Sequence, residues 1–191
     1  MHSSACFPEN PDSITRAVTD TAPFTLSDLK WMEHAMSLAH KAEREGEVPV
    51  GALVVYAGEV VGEGWNRTIT LNDPAGHAEI IALREAGIRL GNYRLPECTL
   101  YVTLEPCCMC AGAMIHARLE RVVFGAFDPK TGAAGSVFGV LGDPRHNHAP
   151  LVSGGCLAAE CGQQLKEFFR QKRDEKGAER DAPIGTRTKQ P

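Results

Sequence analysis

From Thr25 onward the apolar positions fall into alternating helical and strand-like rhythms. Leu29, Met32, Met36 and Ala39 recur at three- to four-residue spacing, the mark of one buried helical face. "TLSD" (Thr25 to Asp28) just ahead of them has the form of a capping box, and Gly46 stops the run, so a helix is expected over about 26–45. "VPVGALVVYAGEVVGEGWN" then reads as two β-branched runs parted by Ala57-Gly58, a hairpin. "GHAEIIALREAG" has helical composition and is expected to stop at Gly87. "TLYVT" (99–103) is apolar enough for a buried strand. Pro106 precedes a further helix, where proline and a first turn belong together. "RVVFGA" (121–126) is a strand, "FDPKTGAAGS" a Gly-rich loop, and "LVSGG" (151–155) a weaker strand. Leu157, Cys161, Leu165 and Phe168 stripe a last helix over about 157–174. The order α-β-β-α-β-α-β-(α)-β-α, with an optional helix before the final strand, implies helices on both faces of a mixed sheet.

The flanks lack either rhythm. Residues 1–24 are rich in Ser, Thr, Pro and Asp and are expected to form a flexible extension. Residues 176–191 are expected to be a disordered tail, which leaves 25–175 as a single domain. Hydrophobic residues are 43% of the 191, enough for a core, and no apolar run approaches the roughly 18 residues of a membrane span. The start "MHSSACFPENPDSITR" has no basic cluster followed by an apolar stretch, so a cytoplasmic protein with no membrane partner is expected.

Seven cysteines, an odd number with three clustered at 107–110, suggest thiols or a metal rather than disulfides. His77 and Glu79 open one predicted helix ("GHAE"), and Cys107 and Cys110 open another ("PCCMC"). Cysteines three apart in a first turn face the same way, while Cys108 points elsewhere. Two thiolates and an imidazole are three of the four ligands zinc prefers, and the position left over suits a water made acidic by the metal. Glu79, two residues past His77, is out of place as a ligand but within reach of such a water, as a proton shuttle must be. A lone CxxC is equally the form of a redox pair, and a lone His is more often a cap. The pairing of HxE with PCxxC across an intervening strand is what gives the pattern its weight.

On these residues the chain resembles the zinc-dependent nucleobase deaminases, whose signature is H-x-E followed by P-C-x-x-C. "EVPVGALVV", "GEGWNR", "DPAGHAEIIALR", "NYRL", "TLYVTLEPCCMCAGAMIHARLERVVFGAFDPKTGAAGS" and "FFRQKR" narrow the likeness to bacterial deaminases of tRNA adenosine, over about residues 28–175. The resemblance implies a cytidine deaminase-like fold: a three-layer α/β/α sandwich on a mixed five-stranded sheet. It implies hydrolysis of the wobble adenosine of an arginine tRNA to inosine, with release of ammonia. His77, Cys107 and Cys110 would hold one zinc ion per subunit, and Glu79 would move the protons. Asn66 would bond the target nucleoside, with Val50, Ala78 and Leu104 lining the base pocket. Backbone N–H groups near Ala78 and Cys107 would assist at the purine. Asp128 would lie near the flipped nucleotide's backbone, and Asn147 and Arg170 near the anticodon loop. A homodimer acting on the tRNA anticodon stem-loop is implied, and no DNA partner. Phe127 departs from the family, where Arg often precedes the aspartate, and offers a base-stacking surface instead of a cation.

The net charge of −4 is unhelpful to an RNA binder, but phosphate affinity follows the local field. Residues 166–191 carry eight Lys or Arg against five Asp or Glu, and Lys166, Arg170, Lys172 and Arg173 are placed to make a basic edge on the last helix. The same residues also read as a solvated helical end whose cations complement the dipole. Deamination of a free base or nucleotide on the same fold is the competing activity.

Overall fold

The computed structural model describes residues 24–181. The expectations for residues 1–23 and for the chain after Asp181 lie outside the described residues. The elements run α1 (Leu26–Arg44), β1 (Gly51–Tyr56), β2 (Glu59–Trp65), α2 (Ala78–Leu90), β3 (Thr99–Leu104), α3 (Cys108–His116), β4 (Arg121–Ala126), β5 (Leu151–Gly154) and α4 (Ala158–Asp181). No described helix is long and apolar enough to cross a membrane.

The capping box on α1 forms as expected: Asp28 N–H donates to Thr25 Oγ1, and Thr25 N–H donates back to Asp28 Oδ2. Ala57 and Gly58, with φ of 49° and 80°, make the two-residue turn whose positive φ values match the twist of a hairpin. β1 pairs antiparallel with β2 and with β3, β3 runs parallel to β4, and β4 parallel to β5, giving the order β2-β1-β3-β4-β5.

Side chains alternate across this sheet with period two. Ala52, Val54, Leu100, Val102, Val122 and Phe124 face one way and bury Ala82 and Ala86 of α2 with Ala111 and Met114 of α3. Leu53, Val55, Tyr101 and Val123 face the other way onto Met32, Ala35 and Leu38 of α1 and Cys161 of α4. The three-layer α/β/α sandwich with a mixed five-stranded sheet is therefore present. α2 packs close because Gly62 and Gly64 of β2 put no side chain beneath it. A Cβ at Gly62 would stand 2.3 Å from Ala82 O, and one at Gly64 would stand 2.1 Å from Ala78 O.

Three expectations change. α2 passes Gly87 and ends at Leu90, where Gly91 supplies the left-handed cap (φ 62°). α4 runs to Asp181 rather than about 174, so residues 176–181, expected in the tail, are helical. α2 runs through Gly87 and α4 through Gly177, since an interior glycine costs only about 1 kcal/mol and neighbours such as Glu, Lys, Arg and Ala carry the helix through. The optional helix before β5 is absent: residues 127–150 form turns and isolated bridges. Gly132, Gly135, Gly139 and Gly142 with Pro129, Pro144 and Pro150 explain why no helical period develops there.

Candidate metal centre

His77 and Cys107 occupy equivalent places, the N-caps of α2 and α3, both in extended backbone (ψ 150° and 172°). Neither side chain caps its own helix. Ser, Thr or Asp would normally satisfy the first-turn N–H groups from that position. Here the N-cap side chains turn toward each other instead. Cys110, one turn into α3, joins them. Its Sγ lies 3.5 Å from His77 Nδ1, and Cys107 Sγ lies 3.7 Å from the same nitrogen. All three donor atoms fall within 4.8 Å of one another.

These distances test the fit to zinc. With Zn–N near 2.05 Å and Zn–S near 2.3 Å at tetrahedral angles, the N···S edge is about 3.6 Å. The observed edges bracket that value. The protons tell the same story. Hydrogen bonds from the Cys110 thiol and from His77 hold the Cys107 thiol down at about 3, despite its partial burial. The bond to Cys107 raises His77 against the cost of its burial. Cys110, donating to that thiolate from a buried position, is pushed up. A divalent ion bound here would draw the protons from both thiols.

Glu79, in the first turn of α2, is 4% exposed. Burial raises its carboxyl above the usual range and the charge of Cys107 adds to this, with His77 opposing. It is not one of the three clustered donors. Asn66, next after β2, accepts from Ala78 N–H through Oδ1 (3.0 Å), so the α2 cap comes from another strand. The Ala78 N–H is thereby engaged within the protein. The Asn66 amide N–H₂ keeps no protein partner among the described residues. Val50 precedes β1, accepts from Asn66 N–H (3.0 Å), and is buried like Ala78; Leu104, closing β3, is half-buried. The sheet therefore brings Asn66, Val50, Leu104 and the ends of α2 and α3 to one edge.

The remaining expected residues are placed differently. Asp128 caps its own turn, accepting from Lys130 N–H (2.8 Å) and Thr131 Oγ1 (2.6 Å), and its segment is fastened beside Cys107 by the Cys107–Gly132 bridge. Phe127 is 57% exposed and stands edge-on to Phe124, with centroids 5.1 Å apart. Asn147 lines a cavity of about 260 Å³ with Arg94, His116, Arg118 and His146, and its carbonyl accepts from Arg118 Nη1 (3.1 Å). Arg170 is exposed on α4, against the sheet face opposite α2 and α3. Sequence reasoning missed Glu105 and Glu47, two buried acids that hold the loops around the site. An acid directly after a buried strand, as in "TLEPC", was the only signal for Glu105.

The chain matches the model of the cytidine and deoxycytidylate deaminase zinc-binding region over residues 26–126. It is 54% identical over 154 residues to the tRNA-specific adenosine deaminase of Haemophilus influenzae, covering 80% of this chain and 89% of that one. To the Bacillus subtilis protein of the same name it is 47% identical over 153 residues, covering 80% and 95%. Among solved structures it superposes with a TM-score of 0.69 and 44% identity on a chain from biochemical and structural studies of A-to-I editing by tRNA:A34 deaminases, covering 71% of this chain and 98% of that one. With the fold, the donor set and these likenesses in agreement, the chain belongs to the cytidine and deoxycytidylate deaminase family, hydrolases of C–N bonds, and to its branch of tRNA-specific adenosine deaminases.

Proposed function

We propose that this protein hydrolyses adenosine to inosine at the wobble position of a tRNA, in the anticodon of an arginine tRNA, with release of ammonia. The observation that carries the chemistry is the His77–Cys107–Cys110 triangle with N···S edges of 3.5 and 3.7 Å, flanked by the buried Glu79. Similarity to the tRNA-specific adenosine deaminases supports the substrate.

His77, Cys107 and Cys110 would hold one zinc ion per subunit, and the ion supplies a Lewis acid that makes water nucleophilic near neutral pH. Glu79 takes the proton from the attacking water and passes it to purine N1; a second transfer to the exocyclic nitrogen lets ammonia leave as C6 becomes a carbonyl. Burial raises the Glu79 carboxyl above the usual carboxylate range, the direction that favours holding a proton between the two transfers. Asn66 orients the nucleoside through its free amide N–H₂, while its Oδ1 fixes the first turn of α2. Val50, Ala78 and Leu104 form the apolar wall against the base. The target must be turned out of its stack, which costs little in an anticodon loop whose bases are already partly unstacked.

The RNA backbone would pass Asp128 and Phe127, with Asn147 and its neighbours Arg94, His116, Arg118 and His146 as a basic recess for phosphate. Arg170 and Lys166 offer a second, more distant basic edge. The protein would act in the cytoplasm as a homodimer of units spanning residues 25–175. A cleft of about 730 Å³ between α2 and α3, lined by Ile80, Leu83, Ile88 and Tyr93, supplies an apolar face for the second copy. Ile88 and Tyr93 there are 83% and 73% exposed.

The test is incubation with RNA hairpins bearing an A-C-G loop, read for inosine. Wild type should convert them, and Glu79→Ala should abolish turnover with zinc still near one per chain. Activity on free guanine or cytosine with none on the hairpin would replace this reading by the small-molecule one.

A further inference from the structure

Glu105 has a part that the deamination chemistry does not use. It is 2% exposed and stands between the end of β3 and Cys107. Oε1 accepts from the backbone N–H groups of Ala134 (3.0 Å) and Ser136 (3.1 Å). Oε2 accepts from the backbone N–H of Asp128 (3.0 Å) and from the Ser136 hydroxyl. No cation pairs with it among the described residues. A carboxylate only accepts, and it has enough lone pairs to gather donors from several points of one segment. Ala133 N–H adds a bond to Pro106 O (2.8 Å), and Gly132 bridges to Cys107. The fit leaves no spare room: a Cβ at Gly132 would stand 2.5 Å from Glu105 Cδ and Oε2.

We infer that Glu105 is a positioning residue for RNA binding, whose two oxygens anchor segment 128–136 in separable arms and present Asp128 beside the Cys107 end of α3. This rests on the reading, proposed above, that Asp128 meets the substrate's backbone. An anchored segment binds in the conformation it already has. A released one is competent only part of the time, and apparent affinity falls by that fraction.

The arms can be separated chemically. In Glu105→Gln one acceptor oxygen remains. Placed toward Ala134 and Ser136 it keeps that arm, and the amide N–H₂ can donate to the Ser136 hydroxyl but faces the Asp128 N–H donor to donor. Hydrogen exchange in E105Q should therefore accelerate at least about tenfold at Asp128 and stay near wild type at Ala134 and Ser136. Zinc per chain should not change. With the hairpin, KM should rise about tenfold and kcat stay within about twofold. Gly132→Ala, which presses on the same carboxylate, should raise KM too, and the double variant should fall short of the product of the two effects. Unchanged exchange at Asp128 in E105Q overturns the anchor. Faster exchange with an unchanged KM overturns the positioning role and leaves a structural one. Should wild type itself leave the hairpin untouched, the proposed function fails, while the exchange measurement, which needs no RNA, still decides the anchor.

Discussion

Replacing Asp28 by Asn should cost this fold about 3 kcal/mol at neutral pH, and the cost should shrink in acid. Asp28 is 1% exposed, and both its oxygens are in use. Oδ1 accepts from Tyr101 OH (2.8 Å) and Arg121 Nη1 (2.7 Å); Oδ2 accepts from Thr25 N–H (3.0 Å) and Thr25 Oγ1 (2.9 Å). Arg121 in turn reaches Ser153 on β5 (3.2 Å), so a single carboxylate links α1 to β3, β4 and β5. An amide in its place faces donors on both sides and leaves the guanidinium without an opposite charge. Breaking a buried pair from one side costs about 3–5 kcal/mol. The Arg121 side chain is 26% exposed and regains some hydration, which argues for the lower end. Three kcal/mol is a large part of the roughly 5–15 kcal/mol that holds such a domain together.

The pH dependence separates charge from shape. Burial pushes the Asp28 carboxyl up, but Arg121, Thr25 and Tyr101 outweigh it and the net shift is downward. A carboxyl depressed on folding adds stability that is fully present above its unfolded pKa, about 3.9, and is lost as pH falls through the lower folded value. Urea melts followed by circular dichroism, on zinc-loaded wild type and D28N between pH 7 and 3, should show a wide gap that narrows only below about pH 4. Loss of metal in acid affects both proteins alike and drops out of the difference. Tyr101→Phe, which removes one neutral donor, should cost about 1 kcal/mol with little pH dependence. A gap of under 1 kcal/mol at pH 7, or one as wide at pH 3 as at pH 7, would refute the reasoning.

Two further outcomes concern the site. Gly64→Ala drives a Cβ into the backbone of α2 at Ala78 O (2.1 Å) and Ala82 N (2.7 Å), next to His77 and Glu79. It should destabilise by about 1–3 kcal/mol and weaken zinc binding, measured by competition with a chelating dye; unchanged affinity would mean α2 is not seated by that glycine. Stripping zinc should open the half-buried Cys107 to alkylation while the fully buried Cys110 lags and the exposed Cys108 reacts in both forms. Peptide mass spectrometry reads this directly, and equal labelling of Cys107 with and without metal would remove it from the ligand set.

What the sequence disclosed and what it withheld divide along a physical line. The α1 cap, the Ala57-Gly58 hairpin, the strands and the HxE and PCxxC helix starts were all legible, because each depends on neighbours within a few residues. Gly87 misled, since whether a glycine ends a helix depends on the residues beyond it and on the sheet beneath. That the Ala78 N–H is engaged was hidden for another reason. Its partner, Asn66, reaches it only because β2 lies under α2, a fact of topology and not of spacing. The contacts of Glu105 with residues 128–136 are likewise invisible in a string where an acid after a strand looks merely exposed.

Glu47 completes a pattern with Glu105. It is 1% exposed, and it too has no cationic partner among the described residues. It accepts from Thr70 N–H (2.7 Å), Thr70 Oγ1 (2.9 Å) and Thr68 Oγ1 (3.1 Å), and so ties down the loop that leaves Asn66 and arrives at His77. One buried acid thus fastens the approach to the α2 donor, and the other fastens the segment lying over the α3 donors. A cation would satisfy either carboxylate as well, but it would add positive charge beside a centre meant to hold a divalent ion. Backbone N–H and hydroxyl donors bring no net charge. They spread a carboxylate's demand over a whole loop, so that ordering the loop and hydrogen-bonding the acid become the same event. A centre built from two helix ends needs its loops held, and these two glutamates hold them on the α2 side and on the α3 side while keeping a negative charge that favours a divalent ion.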